Sequence, residues 1–522
     1  MELVLPPAVS AAAFQRALTA FAGVVGKEWV LATDEDRQTY LDLYAPGIEA
    51  EREHAPSAAV VPQSVEQVQA IVRIANEHRI PLWPICRGKN FGYGGAAPVQ
   101  AGSVILDMAR MNRILEVNKD LAYCVVEPGV GFYDLHEYLG KNNIPLWLSI
   151  PGNGWGSVMG NALERGFSRT PYGEHGNSIC GLEVVLPNGE LVRTATGAMA
   201  NSKTWPLFKP GFGPSWDQMF CQSNFGIVTK MGFWLMPEPQ STLSMTMSVP
   251  RQDDIGWLVD VLTPLRLSGV IPHNVGIANY LGNATTQSQR RDWFNGDAAL
   301  PDDVIDRILA TYKVGWWNFT LTLYGLPEVN ELHRQHIENV FKQHTDRPFT
   351  VTRWQRGATG GGGPPAPSVF ALRVVNWHGG RGAHLGFSPI LPGNGAAVLE
   401  QVRQTRNRYN EFGCDYSSTI YVCGRHVINV NLMLYDKDNT ALVKRTNDLF
   451  ATLVKDAAAA GYGEYRTHLS WMDEVAASFD FNKQGLRRLN EQLKDALDPN
   501  GILAPGKSGI WPKRYRAQQK RG

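Results

Sequence analysis

Residues 87–95, RGKNFGYGG, decide the fold predicted for this chain, because four glycines fall within nine residues. Glycine lets backbone N–H groups turn toward a phosphate oxygen and approach it closely, and Arg87 and Lys89 add positive charge. The spacing differs from a P-loop, in which the lysine precedes Ser or Thr, and from the GxGxxG pattern of NAD-binding Rossmann units. By itself the segment is compatible with either a phosphate-binding loop or a tight surface loop.

A second glycine-rich run, GNGWGSVMGNA, follows at residues 152–162. It is richer in small residues than a solvent-exposed loop needs. Two such runs in one domain indicate a long, phosphate-containing cofactor that lies against the backbone.

Strands and helices alternate around the first run. Residues 58–62 and 80–85 are predicted to be short buried strands, and between them Ser64 with Gln67 indicates the N-terminus of a helix. The apolar side chains of this helix share one face, namely Val68, Ile71, Val72 and Ala75. Residues 10–50 are predicted to be largely helical.

The pattern changes at about residue 240, and the elements predicted beyond it cover residues 243–249, 255–265, 318–324, 428–435 and 440–460. A chain of 522 residues is too long for one ordinary core, so at least two domains are expected. The predicted fold class is α+β.

Composition excludes several classes of protein. Lys plus Arg total 50 and Asp plus Glu total 49, and this balance gives no reason to expect nucleic acid or an anionic membrane as a partner. The six cysteines include no CxxC pair, which favours buried free thiols, and no metal site is predicted. The N-terminal segment lacks the features of a secretory signal and no stretch of about 18 apolar residues occurs, so a cytoplasmic location is the expectation.

Several segments together resemble the vanillyl-alcohol oxidase family of FAD enzymes, which includes eugenol oxidase and p-cresol methylhydroxylase. The matching segments are residues 88–98, 125–130, 156–166, 170–175, 223–230, 315–319, 383–390, 464–468 and 498–511. The resemblance implies a two-domain FAD-binding fold. Residues 1–240 and 471–522 would form the FAD domain, and residues 241–470 an inserted α+β cap domain that holds the substrate.

The resemblance also implies a set of FAD-binding residues, with the pyrophosphate on the loop of residues 87–95. Carried over to this chain, the set is Arg87, Gly88, Lys89, Asn90, Phe91, Gly92, Gly94, Gly152, Asn153, Gly156, Ser157, Asn161, Glu164, Gly226, Ile227, Val228, His384 and Lys507.

His384 matches the histidine that is bonded covalently to the flavin in the oxidase branch of that family. Without the family, a single histidine beside Gly382 and Ala383 is more often structural. The hydroxylase branch uses a tyrosine elsewhere in this region, and the nearby positions here are Val374 and Val375. The resemblance therefore implies FAD bound covalently through His384, and such a link makes the flavin a stronger oxidant.

Tyr93, Tyr465 and Arg466 match the residues that hold the substrate's phenolic oxygen in the family. A guanidinium and hydroxyl donors stabilise a phenolate in a dry pocket, although the ordinary pKa of a phenol is about 10. The phenolate then pushes electrons through the ring, hydride leaves the para benzylic carbon for the flavin, and water can attack the quinone methide. Without the family, Tyr465-Arg466 would be interpreted as a strand with one exposed cation.

Two positions depart from the family pattern. Arg169 replaces a third phenol-binding tyrosine, and Gly152, beside Asn153, stands where the family places an acidic residue near the flavin. If Arg169 points inward, it would strengthen the hold on a phenolate or bind a carboxylate or second oxygen of the substrate. If it points to solvent, Tyr93 and Arg466 are enough to hold the phenolic oxygen.

The resemblance implies an oxidase that returns electrons to molecular oxygen and releases hydrogen peroxide, acting on para-substituted phenols such as benzylic alcohols and alkyl- or allylphenols. One alternative is a dehydrogenase or hydroxylase that passes electrons to a cytochrome, and another is an oxidase of acidic aromatic compounds. A protein that binds flavin or aromatic compounds without catalysis is a third. By analogy with the family, a homodimer or larger homo-oligomer is expected.

Overall fold

The structure is a computed structural model that describes residues 3–358 and 361–519. Met1 and Glu2, the start of the segment considered for a secretory signal, lie outside these ranges. The strands are β1 (Val30–Leu31), β2 (Ala58–Val60), β3 (Leu82–Ile85), β4 (Val104–Asp107), β5 (Ile114–Asn118), β6 (Tyr123–Val126), β7 (Leu146–Trp147), β8 (Ile179–Val185), β9 (Leu191–Arg193), β10 (Ile227–Trp234), β11 (Met236–Pro237), β12 (Ser241–Val249), β13 (Val275–Asn279), β14 (Trp317–Gly325), β15 (Thr350–Gln355), β16 (Gly382–Phe387), β17 (Ile390–Pro392), β18 (Ser417–Val422) and β19 (His426–Asp436).

The α-helices are α1 (Ala11–Val25), α2 (Asp34–Gln38), α3 (Ile48–Glu53), α4 (Val65–His78), α5 (Phe132–Lys141), α6 (Val158–Leu163), α7 (His175–Ser178), α8 (Asp254–Leu267), α9 (Leu281–Ala284), α10 (Asp302–Tyr312), α11 (Pro327–Phe341), α12 (Gly395–Glu411), α13 (Thr440–Ala459), α14 (Met472–Ala477), α15 (Phe481–Leu497) and α16 (Lys513–Gln519). Short 3-10 helices cover Lys27–Trp29, Ala195–Ala198, Asp217–Phe220, Arg290–Asp292, Phe370–His378, Leu469–Trp471 and Lys507–Gly509.

The first sheet has the strand order β1-β2-β4-β3, with β2, β4 and β3 parallel. The predicted strand–helix–strand unit is confirmed, because α4 connects β2 to β3 and the Ser64 hydroxyl accepts a hydrogen bond from the Gln67 N–H. The predicted apolar face of α4 is buried in the core of this sheet. The 87–95 loop connects β3 to β4 and thus begins at the carboxyl end of a parallel strand.

The prediction that residues 10–50 are largely helical is wrong in part. Helix α1 is capped at its C-terminus by Gly26, whose φ of +94° is a backbone conformation that residues with a side chain rarely adopt. Strand β1 follows and pairs with β2, so the backbone hydrogen bonds of Val30 and Leu31 go to a sheet. Pairing with a neighbouring strand therefore overrides the local helical preference.

A second, antiparallel sheet has the order β5-β6-β10-β8-β9. The second glycine-rich run leads into α6 beside this sheet. The Ser157 hydroxyl accepts from the Gly160 N–H at 3.1 Å and donates to the Pro128 carbonyl oxygen at 2.6 Å, which fixes the start of that helix.

The strands after residue 240 form a third sheet with the order β15-β12-β14-β13-β18-β19-β16, while β17 pairs with β19. Side chains of β14 alternate between buried and half-buried, as the sequence predicts. Helices α8, α11, α12 and α13 pack against this sheet over the largest apolar core. The division at residues 240 and 470 stays a prediction.

The cysteines are free, as predicted, and four of the six are buried. Within the described ranges no helix is both long and apolar enough to cross a membrane.

The chain returns to the first sheet near its C-terminus. The Leu82 N–H donates to the Ile502 carbonyl oxygen at 2.6 Å, and the Ala504 N–H donates to the Leu82 carbonyl oxygen at 2.8 Å. Lys494 and Asp498 form a fully buried ion pair at 2.9 Å behind this connection. The Lys494 ammonium also donates to the Leu503 carbonyl oxygen, and the Asp498 carboxylate accepts from the Leu503 N–H. The pair therefore holds the returning segment in place.

We expect Asp498→Ala to lower the free energy of unfolding by about 3–5 kcal/mol, because Lys494 would keep a buried charge with no carboxylate partner. Asp495→Ala is the matched control. Its carboxylate pairs with Arg516 at a partly exposed site, so its removal costs about 0–1 kcal/mol. Denaturant unfolding followed by tryptophan fluorescence measures both, and equal losses would contradict the structural role of Asp498.

Candidate active site

The two glycine-rich runs meet in the structure. Asn153 Nδ2 donates to the Lys89 carbonyl oxygen at 2.6 Å, which joins the second run to the first. Within the first run, Asn90 Oδ1 accepts from the N–H groups of Tyr93 at 3.2 Å and Gly95 at 2.9 Å. These bonds fix the loop in one conformation.

The 87–95 loop presents unpaired backbone donors. The N–H groups of residues 88–92 and of Gly94 donate to no acceptor within the described part of the chain. Gly88, Gly92 and Gly94 have φ values of +60°, +77° and +98°, and such left-handed positions are typical of backbone concavities formed by free N–H groups. Such a concavity binds anions, so the loop fits the pyrophosphate of the predicted cofactor.

His384 lies on β16 directly against this loop. Its ring centroid is 4.1 Å from that of Phe91 and 5.5 Å from that of Tyr44. The side chain is 2% exposed, and neither ring nitrogen has a hydrogen-bond partner in the described residues. Burial lowers the pKa of His384 to about 3, so the imidazole is neutral. A buried histidine with two unpartnered nitrogens is unusual and fits an atom supplied by a cofactor.

Tyr93, Tyr465 and Arg466 come together, although Tyr93 lies more than 370 residues before the other two in the sequence. The Arg466 guanidinium carbon lies 3.9 Å from the ring centroid of Tyr93 and 5.3 Å from that of Tyr465. Burial raises the pKa of Tyr465 well above its ordinary value, so its hydroxyl stays protonated and can donate. The cluster offers one permanent positive charge and two hydroxyl donors to an anionic oxygen.

Aromatic rings extend this cluster. Phe167 lies 4.7 Å from Tyr421 and 5.5 Å from Tyr465 between ring centroids. Arg169 is exposed, and its guanidinium carbon lies 5.6 Å from the Tyr421 centroid. Arg169 thus lies at the outer edge of the aromatic wall, and its role in substrate binding stays a prediction.

A cavity of about 750 Å³ lies beside the cluster, and Phe167, Tyr465 and Arg466 line it. Lys507 and Glu164 line it too and form an ion pair at 2.6 Å. Several buried polar atoms of lining residues have no well-aligned hydrogen-bond partner in the part of the chain that the structure describes, namely Ser223 Oγ, Asn274 Oδ1, Glu464 Oε2, Arg466 Nε and Thr467 Oγ1. Unsatisfied polar atoms around a cavity of this size fit a polar aromatic ligand.

The structure does not direct every predicted cofactor residue toward this region. The Arg87 guanidinium donates to Asp134 at 2.6 Å and so points toward α5. Ile227 and Val228 have buried side chains in the cores of the first and second sheets, which leaves only their backbone for a ligand. At Gly226, a Cβ would lie 2.4 Å from a Val184 methyl carbon, so this glycine serves close packing.

Two other predicted positions are placed by different contacts. Asn161 Oδ1 lies 2.5 Å from His175 Nδ1. Gly152 is exposed, and a Cβ there would meet only Ala371, at 3.6 Å. The backbone at Gly152 therefore has room for the acidic side chain that the family pattern places there.

A buried polar pair was not predicted. Asp42 Oδ2 lies 2.7 Å from His468 Nε2, and both residues lie close enough to His384 to act on it electrostatically. Phe167, Tyr421 and Glu464 were also missed. His468 lies within the matched segment of residues 464–468, and this was the available signal for the pair, whereas no motif marks Tyr421.

Comparison with known proteins gives consistent matches. Residues 56–195 match the FAD binding domain family, and residues 371–508 match the C-terminal domain family of FAD linked oxidases. The chain is 38% identical over 519 residues to the flavoprotein subunit of 4-cresol dehydrogenase (hydroxylating) from Pseudomonas putida, covering 97% of this chain and 98% of that protein.

Two solved structures are similar over the whole chain. A 4-ethylphenol oxidase from Gulosibacter chungangensis, in complex with isoeugenol, superposes with a TM-score of 0.93 at 34% identity, covering 98% of this chain and 100% of that one. A p-cresol methylhydroxylase with bound substrate superposes with a TM-score of 0.92 at 37% identity, covering 97% and 99%.

We expect Gly92→Ala to reduce the FAD content of the purified protein at least tenfold, because the new Cβ would lie 2.2 Å from His384 Cε1. Gly95→Ala is the matched control. It has the same sign of φ, with a backbone cost of roughly 1–2 kcal/mol, but its Cβ meets nothing closer than 3.8 Å. Absorbance gives the ratio of flavin to polypeptide, and equal loading of the two variants would contradict the prediction.

Proposed function

This chain belongs to the family of FAD-linked oxidoreductases that includes vanillyl-alcohol oxidase and p-cresol methylhydroxylase, and from that premise we propose that it oxidises para-substituted phenols. The predicted family, two-domain α+β FAD-binding fold and class of enzyme are confirmed. The observation that supports the substrate class is the half-buried cluster of Tyr93, Tyr465 and Arg466 beside a cavity, in which Tyr93 belongs to the loop that packs against His384.

The cluster holds the phenol as a phenolate. In a buried site the attraction between a guanidinium and an oxyanion is much stronger than in water, and the hydroxyls of Tyr93 and Tyr465 add hydrogen bonds to the same oxygen. Arg466 keeps its charge throughout, because arginine does not lose its proton in proteins. The phenolic pKa therefore falls on binding.

A phenolate donates electron density through the ring to its para carbon, which weakens the benzylic C–H bond there. Bound FAD supplies the acceptor for the two electrons that the substrate loses. The aromatic wall of Phe167 and Tyr421 holds the ring in the orientation set by its oxygen. The substrate leaves this step as a quinone methide, which water attacks at the former benzylic carbon.

His384 would hold the FAD covalently. A neutral imidazole has a free electron pair and acts as a nucleophile, whereas a protonated imidazole does not. Burial keeps His384 neutral, and Phe91 and Tyr44 fix its ring beside the pyrophosphate loop. Backbone N–H groups of residues 88–92 would bind the pyrophosphate, with Lys89 adding charge.

Molecular oxygen is the electron acceptor that we propose, with hydrogen peroxide as the second product, because His384 corresponds to the flavin-linked histidine of the oxidase branch. The relative that is 38% identical is named a dehydrogenase, which supports transfer to another electron carrier as the alternative. A homo-oligomeric assembly stays a prediction.

We expect flavin to remain with the acid-precipitated wild-type polypeptide and to appear in the supernatant of His384→Ala. The physical reason is that only a covalent bond survives denaturation. Flavin fluorescence of the pellet and of the released fraction measures the outcome. Release of flavin from both proteins would show that the binding is non-covalent.

We expect the purified enzyme to oxidise a 4-alkylphenol in air and to form about one hydrogen peroxide for each substrate consumed. Arg466→Met should lower kcat/KM roughly 100- to 1000-fold, as loss of an oxyanion-stabilising group does elsewhere. Arg165→Met, which changes an exposed arginine at the cavity rim, is the matched control and should keep its activity. Flavin reduction by the phenol without peroxide in air would favour the dehydrogenase, and no reduction of the flavin would overturn the proposal.

A further inference from the structure

Binding of a phenol as a phenolate leaves one proton to be placed, and this question rests on the proposed function. Arg466 has no lone pair to accept it, and Tyr93 and Tyr465 serve as hydrogen-bond donors to the phenolic oxygen. A group near the cluster with a free lone pair must take the proton, or solvent must. We propose that Glu464, when its carboxyl group is ionised, is the residue that accepts the phenolic proton.

Glu464 lies beside the residues that would bind the phenolic oxygen. It immediately precedes Tyr465 and lines the same cavity as Tyr465 and Arg466. Glu464 forms an isolated bridge with Pro389, and the Tyr465 N–H donates to the Ser388 carbonyl oxygen at 3.3 Å. These contacts fix Glu464 to the end of β16, the strand that also carries His384.

Residues 384–388 contact the loop, Tyr93 and Glu464 in the order of the chain. Alternate residues of an extended chain project to the same side, so His384, Gly386 and Ser388 share one side of this segment. His384 lies against the loop that carries Phe91, a Cβ on Gly386 would lie 4.0 Å from the Tyr93 hydroxyl, and the Ser388 N–H donates to Glu464. In the order of the chain, the position that faces the Tyr93 hydroxyl thus comes between His384 and the backbone N–H that binds Glu464.

The hydrogen bonding of Glu464 leaves one oxygen available. Its Oε1 accepts from the Ser388 N–H at 2.6 Å, and the residue is 8% exposed. Among the described residues no donor is well aligned with the buried Oε2, and the nearby Thr467 hydroxyl is the one side chain that favours the charged form of the carboxyl group. Among the carboxyl groups of residues 3–358 and 361–519 that are not exposed, only Glu464 has a buried oxygen with no hydrogen-bond partner. The other acidic residues of the cavity are engaged, because Glu164 pairs with Lys507 and Glu174 accepts from Asn177.

Burial disfavours the ionised form of the Glu464 carboxyl group. Burial raises the pKa of Glu464 to about 8, and the Ser388 N–H and the nearby Thr467 oppose this only in part. The charged or titratable groups that line the cavity around it are Glu164, Arg165, Glu174, Cys221, Cys423, His426, Tyr465, Arg466, Arg487 and Lys507. None of them forms an ion pair with Glu464.

Proton transfer moves the negative charge from the Glu464 carboxylate to the phenolic oxygen, which Arg466 stabilises. The phenol O–H bond breaks and an O–H bond forms at Glu464 Oε2, and no electrons are exchanged with an oxidant. The charge leaves a carboxylate that only the Ser388 N–H and the Thr467 hydroxyl stabilise, and it appears on an oxygen beside the Arg466 guanidinium. Electrostatic attraction to Arg466 therefore favours the transfer, even though a free phenol is a weaker acid than Glu464.

The proposal predicts how phenol affinity depends on pH. Below about pH 8 Glu464 is already protonated, so binding releases the phenolic proton to solvent and the dissociation constant falls tenfold for each pH unit. Above about pH 8 the carboxylate takes the proton, nothing is released, and the dissociation constant levels off. Glutamine cannot take a proton, so in Glu464→Gln the tenfold fall should continue up to the pKa of the phenol itself.

The test is equilibrium binding of 4-fluorophenol, which has no para benzylic hydrogen and cannot turn over, to the holoenzyme from pH 6 to pH 9.5. Between pH 8 and 9.5 we expect the affinity of Glu464→Gln to rise about 30-fold and that of the wild type about twofold, from one proton released against none. Calorimetry at pH 9.5 in two buffers of different ionisation enthalpy should count about one proton released by the variant and almost none by the wild type.

Two further variants separate this role from a structural one. Glu464→Asp keeps a carboxylate and should restore the levelling off, and Glu174→Gln, which changes another carboxyl of the cavity, should leave it unchanged. A levelling off near pH 8 that persists in Glu464→Gln, or its absence from the wild type, would overturn the proposal. Failure of the wild type to bind any phenol would overturn the proposed function itself.

Discussion

The contact between the 87–95 loop and β16 is the constraint on which the site depends. The loop reaches His384 only because position 92 has no side chain, since any Cβ there would overlap the imidazole ring. The loop belongs to the parallel sheet near the N-terminus, and His384 belongs to the antiparallel sheet formed after residue 240. One absent methyl group therefore allows the predicted pyrophosphate loop and the predicted flavin link to lie side by side.

Burial determines which groups of the site carry charge. Desolvation lowers the pKa of His384 to about 3 and raises that of Glu464 to about 8, so both are uncharged at neutral pH. Arg466 keeps its positive charge among aromatic rings. The region that would receive the phenol thus presents an uncompensated guanidinium, which selects an anionic oxygen over a neutral one.

The distribution of contacts also explains why the two ends of the chain build one site. Tyr93 lies in the loop between β3 and β4 of the first sheet. Tyr465 and Arg466 come after the last strand of the third sheet and before the segment that returns to β3. The buried pair of Lys494 and Asp498 holds that returning segment. The same short stretch of chain therefore carries the buried ion pair that stabilises this connection and Lys507, which pairs with Glu164 at the cavity.

Local patterns in the sequence determined much of this protein. Glycine spacing predicted the two loops, a cap at Ser64 predicted α4, and alternation predicted β14, because each of these signals acts within a few residues. Resemblance to a family identified Tyr93, Tyr465, Arg466 and His384. Each of these four side chains is then placed by contacts within the fold.

Tertiary structure decided what depends on distant partners. It placed Tyr421 beside Phe167, Asp42 beside His468, and Glu464 where one oxygen has no partner, none of which a local pattern indicates. It also made Val30 and Leu31 a strand within a region predicted to be helical, because β2 offered them hydrogen bonds. Burial and pairing between residues hundreds of positions apart set these features, and both exist only after the chain has folded.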